Sequence, residues 1–335
     1  MRFQAFLIET RRMNYMQVCV TGANGFIGRY LVGALSHQGH SVRVLTRREG
    51  NIFPADVEVV NGDLTSSDCP FGQFLFDCEI LFHCAGEIHD PNVMRLLHVE
   101  GTKRLIQAQL KEHLRTERKM HWVQLSSVGA YGPPIGRPQT DRVVTERTVE
   151  NPVNEYEITK TISDELVIQA SRSGAMTYAV LRPSNVFGTR KTNQSLRRLI
   201  EMVRRGLFFY VGQPGAVVTY VHVDDVVSAL IVCGVAPRAK GQIYNLSCDC
   251  ELEVLINHIA SLLRVRRPSL RIPEPLVQAS ISLLSNLLKP LIKIPSLNVL
   301  VLRTRYPTKK IEAELGFRFS KPLPAGVEDL VREFL

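Results

Sequence analysis

The sequence contains no Cys-x-x-Cys pair, and its seven cysteines are odd in number. Both features argue against a disulfide framework and for a reducing compartment. Cys248 and Cys250 form a lone Cys-x-Cys without a nearby histidine pair, and read as two thiols rather than a metal site. No uncharged apolar run reaches the roughly 18 residues that a membrane span requires. The nearest approach, residues 276–302, is interrupted by Lys289, Pro290, Lys293 and Pro295. Repeats and low-complexity linkers are also missing. With 45% hydrophobic and 22% charged residues, the composition excludes disorder and collagen. The 335 residues suit one large or two smaller domains. Acidic residues are in deficit, 32 against 41 Lys and Arg, which gives a net charge of +9. That bias points to anionic ligands, nucleic acid or an anionic membrane surface. Nucleic acid is rejected, because the basic residues are spread along the chain without aromatic interleaving or a recognised module. Residues 1–15 carry Arg2, Arg11 and Arg12 around a short apolar stretch, too short and badly ordered for a signal peptide. They read as a ragged extension or a start-site artefact, and the expected location is cytoplasmic.

From Met16 the pattern alternates. Strands are expected at Gln17–Thr21, Ser41–Leu45, Val57–Val60, Ile80–His83 and Trp122–Leu125, with helical spacing between them, notably at Val99–His113. Such alternation means βαβ units and a parallel sheet covered on both faces. The second half is less regular. Helices are expected at Glu155–Ser173 and Gln194–Arg205, and strands at Thr177–Arg182 and Tyr220–Val223. Asp224 is placed to start a helix over Asp225–Cys233. The predicted fold is a doubly wound Rossmann α/β sheet over 16–182. A smaller C-terminal substrate lobe, mainly 183–335, is intertwined with it.

Gly22-Ala-Asn24-Gly25-Phe26-Ile27-Gly28 lies between the first strand and the first helix. Gly22 makes the tight turn, Gly25 lets backbone approach a pyrophosphate, and Gly28 lets the helix pack on the strand. The helix N-terminus adds free N–H groups for the anion. A glycine trio alone is weak; strand, loop, helix and second strand in register make it a dinucleotide site. At the end of the second strand, where a carboxylate would hold ribose hydroxyls, stand Thr46, Arg47 and Arg48. Arginine pairs with phosphate, so NADP is favoured and NAD remains the alternative. A solvated turn is the competing reading of both arginines.

Tyr156-Glu-Ile-Thr-Lys160 places a lysine one helical turn from a phenol. A cation there favours phenolate and is expected to draw the Tyr156 pKa towards neutrality. A phenol so tuned can exchange a proton with a carbonyl or alcohol oxygen while hydride moves. Ser126-Ser127 at a strand end offers a hydroxyl for the same oxygen.

Taken in order, TGANGFIG (21–28), Asp63-Leu64, LFHCAG (81–86), LSSVGAYG (125–132), YEITK (156–160), LRPSNVFG (181–188), YVHVDDVV (220–227) and the stretch 314–331 resemble the extended short-chain dehydrogenase/reductases, often called the NAD-dependent epimerase/dehydratase family. The resemblance implies Ser127, Tyr156 and Lys160 as catalytic residues. It places Asp63 and Leu64 against adenine, and Cys84, Ala85 and Gly86 along the cofactor. Lys160 would bond the nicotinamide ribose, Pro183, Asn185 and Val186 would flank the nicotinamide, and Asn185 with Ser127 would touch substrate. His222 reads as structural, and Asp224 and Asp225 as helix capping and first-turn charge. No metal is implied. Family members often dimerise through a helix pair, here Val99–His113 and Glu155–Ser173, so a homodimer is the expected assembly.

Four departures narrow the chemistry. Ser127-Val128-Gly129 lacks the acid of sugar-nucleotide dehydratases, so that reaction is rejected. Val218 stands where many relatives hold a diphosphate with arginine, His98 replaces a frequent asparagine, and Arg47 replaces the NAD-selecting acid. Arg190, Lys191, Arg197, Arg198, Arg204 and Arg205 are alternative phosphate contacts or a solvated helix face. The 272–302 stretch reads first as lobe core, then as an apolar substrate wall; contact with a membrane surface is the lesser reading. The favoured activity is NADPH-dependent reduction of a carbonyl on a sugar-nucleotide or an alicyclic, sterol-like small molecule. A nucleotide-sugar epimerase with tightly held cofactor is the alternative, and a non-catalytic dinucleotide-binding sensor or assembly subunit is the reading from another class.

Overall fold

A computed structural model describes residues 15–47, 52–136, 140–189, 194–277 and 298–334. Arg48, Arg190, Lys191 and most of the 276–302 stretch lie outside the described residues. The chain runs β1 (Gln17–Thr21), α1 (Phe26–His37), β2 (Ser41–Thr46), β3 (Glu58–Asn61), α2 (Phe71–Leu75), β4 (Ile80–His83) and α3 (Pro91–Arg95). A π-helical turn, Leu96–Gly101, leads into α4 (Thr102–Thr116), followed by β5 (Met120–Leu125), β6 (Arg142–Val143), α5 (Glu155–Ser171) and β7 (Met176–Pro183). Then come β8 (Asn185–Phe187), α6 (Gln194–Arg204), β9 (Tyr210–Val211), β10 (Val217–His222), α7 (Val223–Val235), β11 (Gln242–Leu246), β12 (Cys248–Glu251) and α8 (Leu252–Leu262).

Seven parallel strands form the main sheet in the order β11-β7-β5-β4-β1-β2-β3. The order reverses between β1 and β4, the crevice where open α/β sheets bind ligands. β1 and β4 read as near-continuous apolar runs because helices bury both faces: Cys19, Val20 and Leu81 are fully buried. α7 and β11, far along the chain, pack in the same core as β1, β2 and β4. A second core gathers α6, β10 and α8 with Leu323, Val327 and Leu330. Among the described residues no helix is long and apolar enough to cross a membrane.

The start of α7 differs from the sequence pattern. It begins at Val223, and His222 caps it by accepting the Asp224 N–H at Nδ1, 3.2 Å away. Burial holds the His222 ring below its ordinary pKa, which leaves Nδ1 a lone pair to accept with. Asp224 instead meets Lys321 Nζ at 3.1 Å. Asp225 is buried and accepts the Ser320 N–H and hydroxyl, each at 2.7 Å, tying the C-terminal segment to the sheet.

Candidate active site

A cleft of about 1320 Å³ opens at the carboxyl ends of β1, β4, β5 and β7. The glycine loop forms one end. Gly22 has φ +67°, and a Cβ there would fall 2.5 Å from Ala85 N. A Cβ on Gly28 would fall 2.2 Å from Gly22 O, so α1 starts directly against the turn. No side chain caps α1 and its first turn holds no acid, which leaves its N–H groups for an anion. Asn24 Nδ2 donates to Thr46 Oγ1, while its buried Oδ1 has no partner among the described residues. The loop thus fits a dinucleotide's pyrophosphate.

Gly25, Phe26, Ile27, Gly28, Cys84, Ala85, Gly86, Pro183, Asn185 and Val186 all line the cleft, with Ser127, Tyr156 and Lys160. Asn185 Nδ2 donates to Thr219 O at 3.1 Å. Among the described residues, five predicted cofactor residues are not on that wall. Gly22 and Asn24 lie beneath it as described, and Leu64 is buried in a core with Val60 and Leu81. Arg47 is 64% exposed, with Nη1 3.7 Å from Asp63 Oδ2. Asp63 Oδ1 accepts the Thr65 N–H and hydroxyl, both at 2.8 Å.

The reacting groups sit midway. Asn154 caps α5 by accepting the Glu157 N–H, which fixes Tyr156 in the first turn and Lys160 one turn on. Ser127 lies just past β5 and caps the short turn Val128–Tyr131, its Oγ accepting the Gly129 N–H at 3.1 Å. Ser127 and Tyr156 line the same stretch of the cleft. The expected lowering of the Tyr156 pKa is not what the geometry produces. Burial, then Asp164, pushes the phenol up to about 12, against a smaller pull from Ser127. Lys160 does not offset this, because its buried ammonium turns to the Leu125 carbonyl at 2.6 Å. Burial also lowers Lys160 itself, opposed by Asp164 and Cys84.

Under the site lies a buried charge cluster that motif reading missed. Asp164 Oδ2 accepts from Ser126 Oγ at 2.6 Å and from Arg182 Nη2 at 3.1 Å. Arg182 also donates to Glu150 at 2.5 Å and stacks on the Tyr131 ring, 5.0 Å from its centroid. Burial pushes Asp164 up while Arg182, Ser126 and Lys160 pull it down. Asp164 is one turn beyond Lys160, so helical spacing alone could have found it. His98 braces the other side. Its Nε2 accepts the Glu87 N–H at 2.9 Å, so Nδ1 carries the proton and donates to Thr159 Oγ1 at 2.8 Å. The ring meets Tyr156 edge-on at 5.9 Å. It lies in the π-helical turn, a local geometry frequent at functional sites.

A sequence model of the NAD dependent epimerase/dehydratase family matches residues 18–247. The chain belongs to this family. Human short-chain dehydrogenase/reductase family 42E member 1 is 25% identical over 252 residues, which cover 70% of this chain and 63% of that protein. A 4-hydroxy-2-methyl-3-oxo-4-farnesyl-3,4-dihydroquinoline-1-oxide ketoreductase of Stigmatella aurantiaca is 28% identical over 252 residues, 71% of this chain and 70% of that one. Among solved structures, a UDP-glucose 4-epimerase of Thermotoga maritima superposes with TM-score 0.70 at 20% identity, covering 95% of this chain and 98% of the other. Membership supports a nicotinamide dinucleotide as the cofactor.

Proposed function

We propose that the chain is an NADPH-dependent carbonyl reductase with Ser127, Tyr156 and Lys160 as its catalytic residues. The observation that carries this reading is a phenol that burial holds protonated, lining one cleft with Ser127, Lys160 and the glycine loop. A nicotinamide bound there supplies hydride to the carbonyl carbon. Ser127 orients the carbonyl through its oxygen. Tyr156 passes its proton to that oxygen as the C=O becomes an alcohol, and regains a proton through the open cleft. Lys160 adds positive charge that steadies the phenolate left behind. The ketoreductase among the relatives favours a ring ketone as the electrophile. In this reading the second core, around α6, β10 and α8, forms the substrate lobe. Arg47 turns from Asp63 to a 2′-phosphate, which gives the preference for NADPH.

The second reading is a nucleotide-sugar epimerase that keeps its cofactor and uses the same three residues. The Arg47–Asp63 contact favours it, because that guanidinium already has a partner. A non-catalytic binding subunit is disfavoured by the presence of Tyr156 and Lys160 together. The deciding experiment identifies any nucleotide retained by the purified protein, then follows NADPH consumption in wild type and Tyr156→Phe. An empty protein that consumes NADPH with a ketone, and a variant that binds NADPH without turnover, support the reductase. Retained NAD⁺ with no net consumption moves the assignment to the epimerase.

A further inference from the structure

Among the described residues, the cleft beside the cofactor site presents almost no positive charge. Among the described lining residues the one lysine or arginine is Lys160, whose ammonium is engaged by the Leu125 carbonyl one turn from Asp164. Two carboxylates share that wall. Glu87 Oε1 accepts the N–H groups of Ile88, His89 and Asp90, at 2.8, 2.7 and 3.4 Å. Glu157 Oε2 accepts the Val153 N–H at 2.9 Å. Three arginines of α6 and its end pair with carboxylates: Arg197 with Glu333 at 2.6 Å, and Arg204 and Arg205 with Glu201 at 2.7 and 2.5 Å. A diphosphate leaving water for this wall would lose hydration without gaining a counter-charge.

Away from the glycine loop the lining mixes apolar side chains with neutral polar ones such as Thr219, Tyr220 and Tyr306. Val217, Val218, Leu302, Pro134 and Val153 contribute to it from separate segments. Apolar side chains continue to the rim. Ile88 and Val153 line the cleft yet are 57% and 56% exposed, and Ile135, beside Pro134, is 92% exposed. Apolar surface left in water around a cleft mouth is a gain available to an apolar ligand. Two buried hydroxyls on the wall, Ser184 Oγ and Thr304 Oγ1, have no hydrogen-bond partner among the described residues. They can serve neutral oxygens of a ligand.

From this lining we infer that the substrate is an uncharged lipophilic ketone, a ring carrying a hydrocarbon extension, and not a nucleotide sugar. The inference rests on the carbonyl-reductase reading above and narrows its substrate class. Its test measures binding and turnover separately, on the full chain. A series of 4-alkylcyclohexanones from methyl to hexyl, and UDP-glucose, are titrated calorimetrically into enzyme saturated with oxidised cofactor. The same compounds are then assayed for NADPH consumption. The expected result is a Kd that falls roughly two- to fourfold per added methylene, with UDP-glucose at least about a hundredfold weaker than the hexyl ketone. A Kd independent of chain length, no binding by any ketone, or tighter binding of UDP-glucose overturns the inference. Chain-length-dependent binding without NADPH consumption upholds the substrate class and refutes the reductase reading.

Discussion

Replacing Arg47 tests the cofactor assignment at a single exposed side chain. A charge-assisted hydrogen bond to phosphate contributes about 1.5–3 kcal/mol. Arg47 is 64% exposed, which places it in the lower half of that range. Recruiting it to a 2′-phosphate also gives up the 3.7 Å contact with Asp63, an exposed pair worth about 0–1 kcal/mol. The net is about 0.5–2 kcal/mol, so Arg47→Ala should raise the NADPH Kd about two- to thirtyfold. The NADH Kd should stay the same. Arg47→Asp should go further, because its carboxylate repels the phosphate and accepts from ribose hydroxyls, so preference crosses to NADH. Fluorescence titration of both cofactors, at low and high salt, provides the assay. Wild-type affinity for NADPH should weaken with salt more than affinity for NADH. An NADPH Kd that changes less than twofold in Arg47→Ala would refute the reasoning, and the solvated-turn reading of Arg47 would stand.

Three further outcomes follow from the buried groups. With the Tyr156 phenol pushed up to about 12, the proton donor stays neutral and keeps its proton through neutral pH. Ketone reduction should therefore be flat from about pH 6 to about pH 9, while alcohol oxidation by the same enzyme rises with pH; parallel profiles would contradict this. Asp164→Asn leaves Arg182 and Lys160 buried with less compensation, and should cost about 3–5 kcal/mol in urea unfolding. An effect below about 1 kcal/mol would mean the cluster is not the support described. Acid stability depends on His98, which burial lowers to about 3, and on His83, lowered well below its ordinary value. Both stay neutral in the fold but take protons when unfolded, so stability is level above pH 6.5 and falls below it. The slope from His98 is about 1.4 kcal/mol per pH unit between 6.5 and its folded value. His98→Asn should reduce that slope in a pH series of urea midpoints, and an unchanged slope would exclude His98 as the source.

Local chemistry explains which parts of this protein were legible in its sequence. β1, α1, β2 and β4 announce themselves because one strand period or one helix period fills each segment, and the glycine spacing between β1 and α1 is dictated by contacts within the loop itself. The Gly28 position, for instance, is fixed by Gly22 O only six residues away. Ser127, Tyr156 and Lys160 are recognisable as a set because two of them share a helix face and the third lies just past a strand. What could not be read is whatever depends on distant segments. β11 joins the main sheet from residue 242, yet nothing local distinguishes it from a strand of the smaller core. Thr304 and Tyr306 reach the cleft only because Tyr306 N is held by Asp249 Oδ2 at 2.6 Å and Thr308 by Ser247. The Tyr156 pKa misled for the same reason. Spacing puts a lysine one turn away, but the direction of its ammonium is set by the Leu125 carbonyl on another element, and the field at the phenol by burial and Asp164. Proximity in sequence identifies which groups share a site, whereas the protonation state of each is a property of everything packed around it.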